Sequence, residues 1–214
     1  MSSDGQVIVF HDHTVGRLTD GQGDVLDLDF AYLRSLNAAT HFTGGWLQPE
    51  RIPTLREVLD LAKGRVKVRI EIKCSQRQGV YGRYPNIAEM VVAEIRAANM
   101  LDQVVIISFD WPILARIKSL EPSLETGMIV SRKWWPEQTE DGVDVLCSLA
   151  MELGCAWIDI DALLFSTDMV NNIQQRGFQL GLWTVNNLDE LRQFADFGLD
   201  SLTTDRPDLF AQFL

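Results

Sequence analysis

An α/β fold of the TIM (β/α)8-barrel type is predicted by three features of the sequence. Short apolar stretches alternate with helical patterns along most of the chain. Those stretches are near-continuous runs of Val, Ile and Leu, as parallel strands buried on both faces require. Charged and polar residues gather just after them, at the strand ends where α/β barrels hold their functional groups.

The first strand is expected at Val7–Phe10, inside the run Asp4 to Asp12, DGQVIVFHD. A long polar segment, Asp20–Arg51, follows it. That segment contains Gly44-Gly45 and Trp46 and is expected to be a loop-plus-helix insertion over one barrel face. A helix near Thr54–Lys63 opens on Pro53-Thr54 and closes at Gly64. Further strands are expected at Val66–Ile72, Val104–Ser108, Thr126–Val130, Ala156–Ile160, Gln179–Val185 and Ser201–Thr204. Helices are expected between and after them, near Pro85–Met100, Trp111–Leu120, Gly142–Leu153, Ser166–Arg176, Asn187–Phe197 and Pro207–Leu214. Gly177 and Gly198 close two of these. A doubly wound sheet is the rival, but no Gly-rich phosphate turn follows the first strand. A complete barrel takes about 250 residues. The 214 present fall short by about the first two strands and the first helix. The expectation is therefore one domain, residues 1–214, forming an N-terminally truncated barrel with an insertion at 20–51.

Composition narrows the function classes. The chain is 46% hydrophobic with a net charge of −11. No basic stripe is present, which argues against a nucleic-acid partner. No uncharged apolar run reaches the length of a membrane span, and no leader is visible at Met1. The three cysteines, Cys74, Cys147 and Cys155, are odd in number and form no CxxC, so a reduced cytoplasmic protein is expected.

The strand exits carry the candidate chemistry. Side chains alternate along a strand, so Arg69, Glu71 and Lys73 share one face. Glu71 and Lys73 read either as a paired ion bridge inside the barrel or as a phosphoryl site. In the second reading the carboxylate holds Mg2+ or Ca2+ and the lysine neutralises phosphate oxygens. His11-Asp12 follows four apolar residues. It reads as a structural pair or as a general acid/base, because imidazole titrates near neutral pH. His13 and His41 read as solvated or supporting. Phe109, within Ser108-Phe109-Asp110, and Trp183 lie at later strand exits and could line a substrate pocket. The stripe Trp134-Trp135-Pro136 could cover a substrate group, form a lid or meet a partner.

Taken together these motifs resemble the glycerophosphodiester phosphodiesterase family. The resemblance rests on DGQVIVFHD, then Gly16-Arg17-Leu18-Thr19-Asp20-Gly21, then Ile52-Pro53-Thr54-Leu55 leading into Glu57, then RIEIK, ISFD, LWTVN and TTDRP. It implies a TIM barrel with an insertion after the His-Asp strand. It also implies hydrolysis of glycerophosphodiesters to an alcohol and glycerol 3-phosphate, in glycerophospholipid catabolism, with a divalent cation. His11 is then the second of two catalytic histidines, and Glu71 the third of three metal carboxylates. Lys73 is the phosphate-contacting lysine and Trp183 the aromatic beside the glycerol. The family's opening His-Arg-Gly strand end, Pro-Glu-Asn-Thr turn and Glu-x-Asp strand exit would precede Met1. Asp4, Asp12 and Asp110 match no family metal ligand. The implied partner is a small-molecule glycerophosphodiester. An alternative is a non-catalytic incomplete barrel acting as a binding module. Its exposed strand edges, Val7–Phe10 and Ser201–Thr204, invite a homodimer. A Schiff-base aldolase is a third reading, for which Lys67 and Lys73 are poor candidates because charges neighbour both.

Overall fold

The computed structural model describes residues 1–42, 48–73, 84–133, 135, 142–210 and 212. Gly44-Gly45, Trp46, Cys74, Trp134 and Pro136 lie outside the described residues. The chain divides into two compact units, Met1–Val104 and Val105–Leu214.

In the first unit, Val7–Phe10 departs from the expected strand. It makes a single antiparallel bridge, Ile8 with Thr54, and joins no ladder. Its backbone bonds go to the segment ahead of the next helix. Val9 N donates to Pro53 O at 2.9 Å and Leu55 N to Val7 O at 3.1 Å. Four consecutive apolar residues thus mark an extended stretch without a strand partner on both sides.

The insertion is less polar inside than its composition suggests. It forms a 3-10 turn at Val25–Asp27 and helix α1 (Phe30–Ser35), each capped by an aspartate, Asp24 and Asp29. Val15, Val25, Leu33, Leu36 and Ile52 pack into a small core, with Ile8, Phe10, Leu28 and Ala38 around it. Helix α2 (Leu55–Ala62) starts with a complete capping box between Thr54 and Glu57. Arg34 adds a fork to Glu57 at 2.6 and 2.7 Å, tying α1 to the start of α2. Gly64 turns the chain at φ +70° after α2, a conformation suited to glycine. Strand β1 (Val68–Glu71) follows, shorter than expected because Val66 is exposed. Helix α3 (Ile87–Ala98) buries Ile87, Val91, Val92 and Ile95. It is tied to α2 by Arg56–Glu94 at 2.9 Å and to the α2 C-cap by Lys63 Nζ donating to Ala98 O at 2.6 Å.

β2 (Val104–Ser108) leads into the second unit. There it is followed by α4 (Trp111–Leu120), β3 (Glu125–Val130), α5 (Gly142–Glu152), β4 (Trp157–Asp161), α6 (Thr167–Gln175), β5 (Gln179–Trp183), α7 (Leu188–Ala195), β6 (Ser201–Leu202) and α8 (Pro207–Phe210). Each of β2 to β5 pairs in parallel with the next strand in sequence. A doubly wound sheet reverses its strand order part-way, and this run of five strands does not. The winding is that of a (β/α)8 barrel, and the fold class is α/β. Each crossover helix turns an apolar stripe inward: Ile113, Leu114 and Ile117 from α4, Leu146 and Ala150 from α5, Val170 and Ile173 from α6, Leu191 and Phe194 from α7. The strand residues Ile106, Met128, Ile158, Leu180 and Leu182 are completely buried.

Asp159 on β4 is buried as well, and glycines on both neighbouring strands make room for it. A Cβ on Gly127 would stand 3.3 Å from Asp159 Oδ2 and 2.7 Å from Trp157 Cβ. A Cβ on Gly181 would overlap Asp159 Oδ1 and lie 2.5 Å from Ser201 Oγ. Gly181→Ala should therefore destabilise the protein by about 1–3 kcal/mol through overpacking. A urea midpoint equal to that of the parent would disprove this account of Gly181.

The motif residues after β5 and β6 form a clasp. Asn186 Oδ1 accepts from Asp205 N at 2.8 Å and from Thr204 Oγ1 at 3.1 Å, while Asn186 Nδ2 donates to Asp205 Oδ2 at 2.9 Å. Thr204 Oγ1 also accepts from Arg206 N at 3.0 Å. The LWTVN and TTDRP stretches are thus locked to each other by hydrogen bonds. Among the described residues no helix is long and apolar enough to cross a membrane.

Candidate active site

The candidate site in the first unit is built from two short segments. β1 delivers Glu71, and Lys73 follows two residues later on the same face, as strand alternation requires. His11-Asp12 arrives at the end of the extended Val7–Phe10 stretch. Lys73 Nζ lies 2.8 Å from Glu71 Oε1 and 3.2 Å from His11 Nε2. The lysine therefore joins both readings of this pair. It closes an ion bridge with Glu71, and it brings a histidine from 62 residues away into the same cluster. Glu71 and Lys73 are one-quarter exposed, 25% and 24%, whereas the His11 side chain is 68% exposed.

On its other side, His11 Nδ1 lies 2.7 Å from Asp12 Oδ1. Asp12 receives a two-pronged contact from Arg17, Nε to Oδ2 at 2.5 Å and Nη2 to Oδ1 at 2.6 Å. The Arg17 guanidinium, with a smaller contribution from His11, holds the Asp12 carboxyl well below the usual carboxylate range, against the opposing effect of desolvation. Asp12 is thus an ionised, acceptor-only group, so the Nδ1 that meets it must carry the hydrogen. In the singly protonated form of the ring, Nε2 is then the acceptor facing Lys73.

The Gly16–Gly21 turn explains where Arg17 points. Thr19, buried at 1% exposure, donates to Val15 O at 2.8 Å and accepts from Gly21 N at 3.0 Å. A Cβ on Gly21 would come within 2.6 Å of Leu36 Cδ2 and 3.1 Å of the Tyr32 hydroxyl, so a side chain there would require Leu36 to shift. Asp20 Oδ1 accepts from Asn37 N at 2.8 Å.

His11, Asp12, Arg69, Glu71 and Lys73 line one cleft of about 520 Å3 within the first unit. Its remaining wall is mostly apolar, including Val9, Phe10, Leu18, Ile70 and Ile87. Charge at one part of an apolar cleft is a common form of small-molecule site. Tyr84 also lines it, and its hydroxyl lies 2.9 Å from His13 Nδ1. His13 is thus a partnered residue, and His41 likewise, with Nε2 3.1 Å from Thr19 O.

Phe109 and Trp183, both proposed at a substrate pocket, meet each other in the second unit. Their rings are edge-on, with centroids 5.3 Å apart. Trp183 Nε1 donates to Asp159 O at 3.2 Å, which fixes the indole at the end of β5. Trp135 is described, and its N donates to Ser131 O at 3.1 Å.

Sequence reasoning assigned no role to Arg17 or Tyr84. Tyr84 had no signal, since its partner is 71 residues away. Arg17 did have one. An arginine five residues after an aspartate, across a Gly- and Thr-containing turn, is within reach of it.

The fit of a divalent cation can be judged from the donors. A hard cation takes six or more oxygens, several of them carboxylate. Among the described residues no three His, Cys, Asp or Glu side chains converge on one point. Glu71 is engaged by Lys73 and Asp12 by Arg17. The described donors therefore do not form a cation cage by themselves.

The comparisons with known proteins follow the same pattern. The Glycerophosphoryl diester phosphodiesterase family matches residues 1–209. A glycerophosphodiester phosphodiesterase of Bacillus subtilis is 29% identical over 223 residues, spanning 98% of this chain and 72% of the relative. The structure of an Oleispira antarctica phosphodiesterase, solved in complex with the product sn-glycerol-3-phosphate, superposes with a TM-score of 0.75 at 24% identity, covering 97% of this chain and 78% of that one. A glycerophosphodiester phosphodiesterase from Agrobacterium tumefaciens gives a TM-score of 0.73 at 24% identity, covering 98% and 82%. At these identities the superpositions speak for a shared fold, while the family match runs through the His11, Glu71 and Lys73 segments alike. The chain belongs to the glycerophosphoryl diester phosphodiesterase family.

Proposed function

We propose that this chain is a glycerophosphodiester phosphodiesterase acting in glycerophospholipid catabolism, releasing an alcohol and glycerol 3-phosphate. The observation that carries the reading is the double contact of Lys73 with Glu71 and His11. With Lys73 Nζ 3.2 Å from His11 Nε2, one phosphodiester could touch both a cation and a proposed acid/base group. The Lys73 ammonium would neutralise a non-bridging phosphate oxygen, and that help grows as charge develops in the transition state. His11 Nε2, an acceptor in this arrangement, has the form of a general base. It would take the proton from the attacking oxygen as the new bond to phosphorus forms and the bond from phosphorus to the alcohol oxygen breaks, with the departing alkoxide taking a proton from solvent. Attack by water gives glycerol 3-phosphate directly; attack by a neighbouring glycerol hydroxyl gives a cyclic phosphate that a water molecule then opens to it. Phe109 and Trp183 are proposed substrate-contacting aromatics. The product bound in the Oleispira antarctica structure supports glycerol 3-phosphate as the product here.

A divalent cation, Mg2+ or Ca2+, is the cofactor of this reading, with Glu71 as its carboxylate from the described residues. When bound it would supply charge neutralisation at the phosphate. A cytoplasmic setting fits Cys147 and Cys155, which are buried and unpaired, with thiols pushed up by burial and so slow to react.

Incubation of the purified chain with glycerophosphocholine, with Mg2+ or Ca2+ and with chelator, tests the reading. The expected result is glycerol 3-phosphate and choline, lost in chelator. Phosphocholine and glycerol as products would place the cleavage on the other ester bond. A folded chain that releases nothing would favour the binding-module alternative.

A further inference from the structure

His11 has little to hold it. It sits on a bend after Val7–Phe10, and its side chain is 68% exposed. Its two ring nitrogens meet Asp12 and Lys73, and both partners are themselves rotatable side chains. Asp12 is fixed in turn, because Arg17 grips both of its oxygens. Arg17 stands on the turn that buried Thr19 pins to Val15. A continuous chain of contacts therefore runs from the small core of the first unit to the exposed His11 ring that faces Lys73.

We propose that Arg17 is a positioning residue which, through Asp12, fixes the tautomer and heading of the His11 ring toward Lys73. This rests on the reading of His11 as the proton carrier. Both partners favour the same tautomer, and Lys73 can act on Nε2 only while Asp12 holds the heading of the ring. The Asp12 carboxylate demands a hydrogen on Nδ1, and the Lys73 ammonium, a donor only, demands a lone pair on Nε2. With the fork gone, Asp12 regains its side-chain rotations and the ring loses its fixed end. A lysine at position 17 would keep the charge but could not grip both oxygens in a planar fork.

The test compares the full chain with Arg17→Ala and Arg17→Lys by long-range 1H–15N NMR of the histidine ring nitrogens, with His11 assigned through His11→Gln. The parent should show His11 protonated at Nδ1. Arg17→Ala should show the two tautomers mixed, and Arg17→Lys an intermediate ratio. In glycerophosphocholine turnover, Arg17→Ala should lower kcat by about 10- to 100-fold, the scale of a misplaced catalytic group, with KM within about two-fold. An unchanged His11 tautomer in Arg17→Ala, with only the melting temperature lowered, would overturn the proposal and leave the fork a structural contact. Were the chain inactive on every phosphodiester, the functional reading would fall. The tautomer measurement would still decide the role of Arg17, because it needs no turnover.

Discussion

Replacing Lys73 by methionine should lower kcat/KM for glycerophosphocholine by about 10²–10³-fold, the loss that follows from removing one preorganised donor at a developing oxyanion. The geometry makes this a demanding position. Lys73 Nζ is the group shared by Glu71 at 2.8 Å and His11 at 3.2 Å, so its removal does more than delete a charge. It leaves the half-buried Glu71 carboxylate without its counter-charge beside the phosphate it is supposed to receive, converting attraction into repulsion. Methionine fills a similar volume, so the apolar wall of the cleft should survive. A phosphate contact exists in both ground and transition states, so KM should rise as well as kcat fall. Steady-state kinetics with a melting curve checks this. A Lys73→Met protein with parental kcat/KM would remove the lysine from the phosphate site and leave the pair as a structural ion bridge.

His11→Ala should act differently. The ring is mostly exposed, so its loss should change stability by no more than about 0.5 kcal/mol. Its loss as a proton carrier should lower kcat by about 10²–10⁴-fold while KM changes little. The contrast with Lys73→Met is informative, since one variant disturbs binding and chemistry and the other chemistry alone. A kcat within three-fold of the parent in a His11→Ala protein would mean that another group carries the proton.

Much of this arrangement was legible in the sequence, and particular residues show why. β2 and α4 occupy the expected residues, because a run of β-branched residues ending in Ser108 and a helix opening on Trp111-Pro112 leave little choice. The start of α2 was written in Thr54 and Glu57, whose reciprocal bonds are local. Glu71 and Lys73 were brought together by strand parity alone. The failures have the opposite character. Val7–Phe10 has strand composition, but a strand is defined by what pairs with it, and among the described residues the segment at Thr54 alone does. The insertion looked polar because the apolar residues it adds to the small core, Val25, Leu33 and Leu36, are spread among charged ones. Their convergence depends on the turns at Asp24 and Asp29, which set where each apolar residue points.

The site shows the same division. His11 and Lys73 lie 62 residues apart, and no local rule predicts their contact. What made the pairing accessible was the order of several weak motifs, each of which alone would fit many proteins. The Asp12–Arg17 fork is local, and it escaped notice because its importance depends on His11. Other parts of the same motif set proved structural. Asn186, Thr204 and Asp205 bond to one another, so the LWTVN and TTDRP stretches owe part of their pattern to that clasp.

His11 and Lys73, with Glu71 paired to the lysine, are proposed to meet one phosphate group. The most direct test is titration of sn-glycerol 3-phosphate into the 15N-labelled chain while the His11 ring nitrogens are observed. The account predicts a saturable shift of the His11 signals that is lost in Lys73→Met. Binding that leaves His11 undisturbed, or that is equally tight in Lys73→Met, would contradict it.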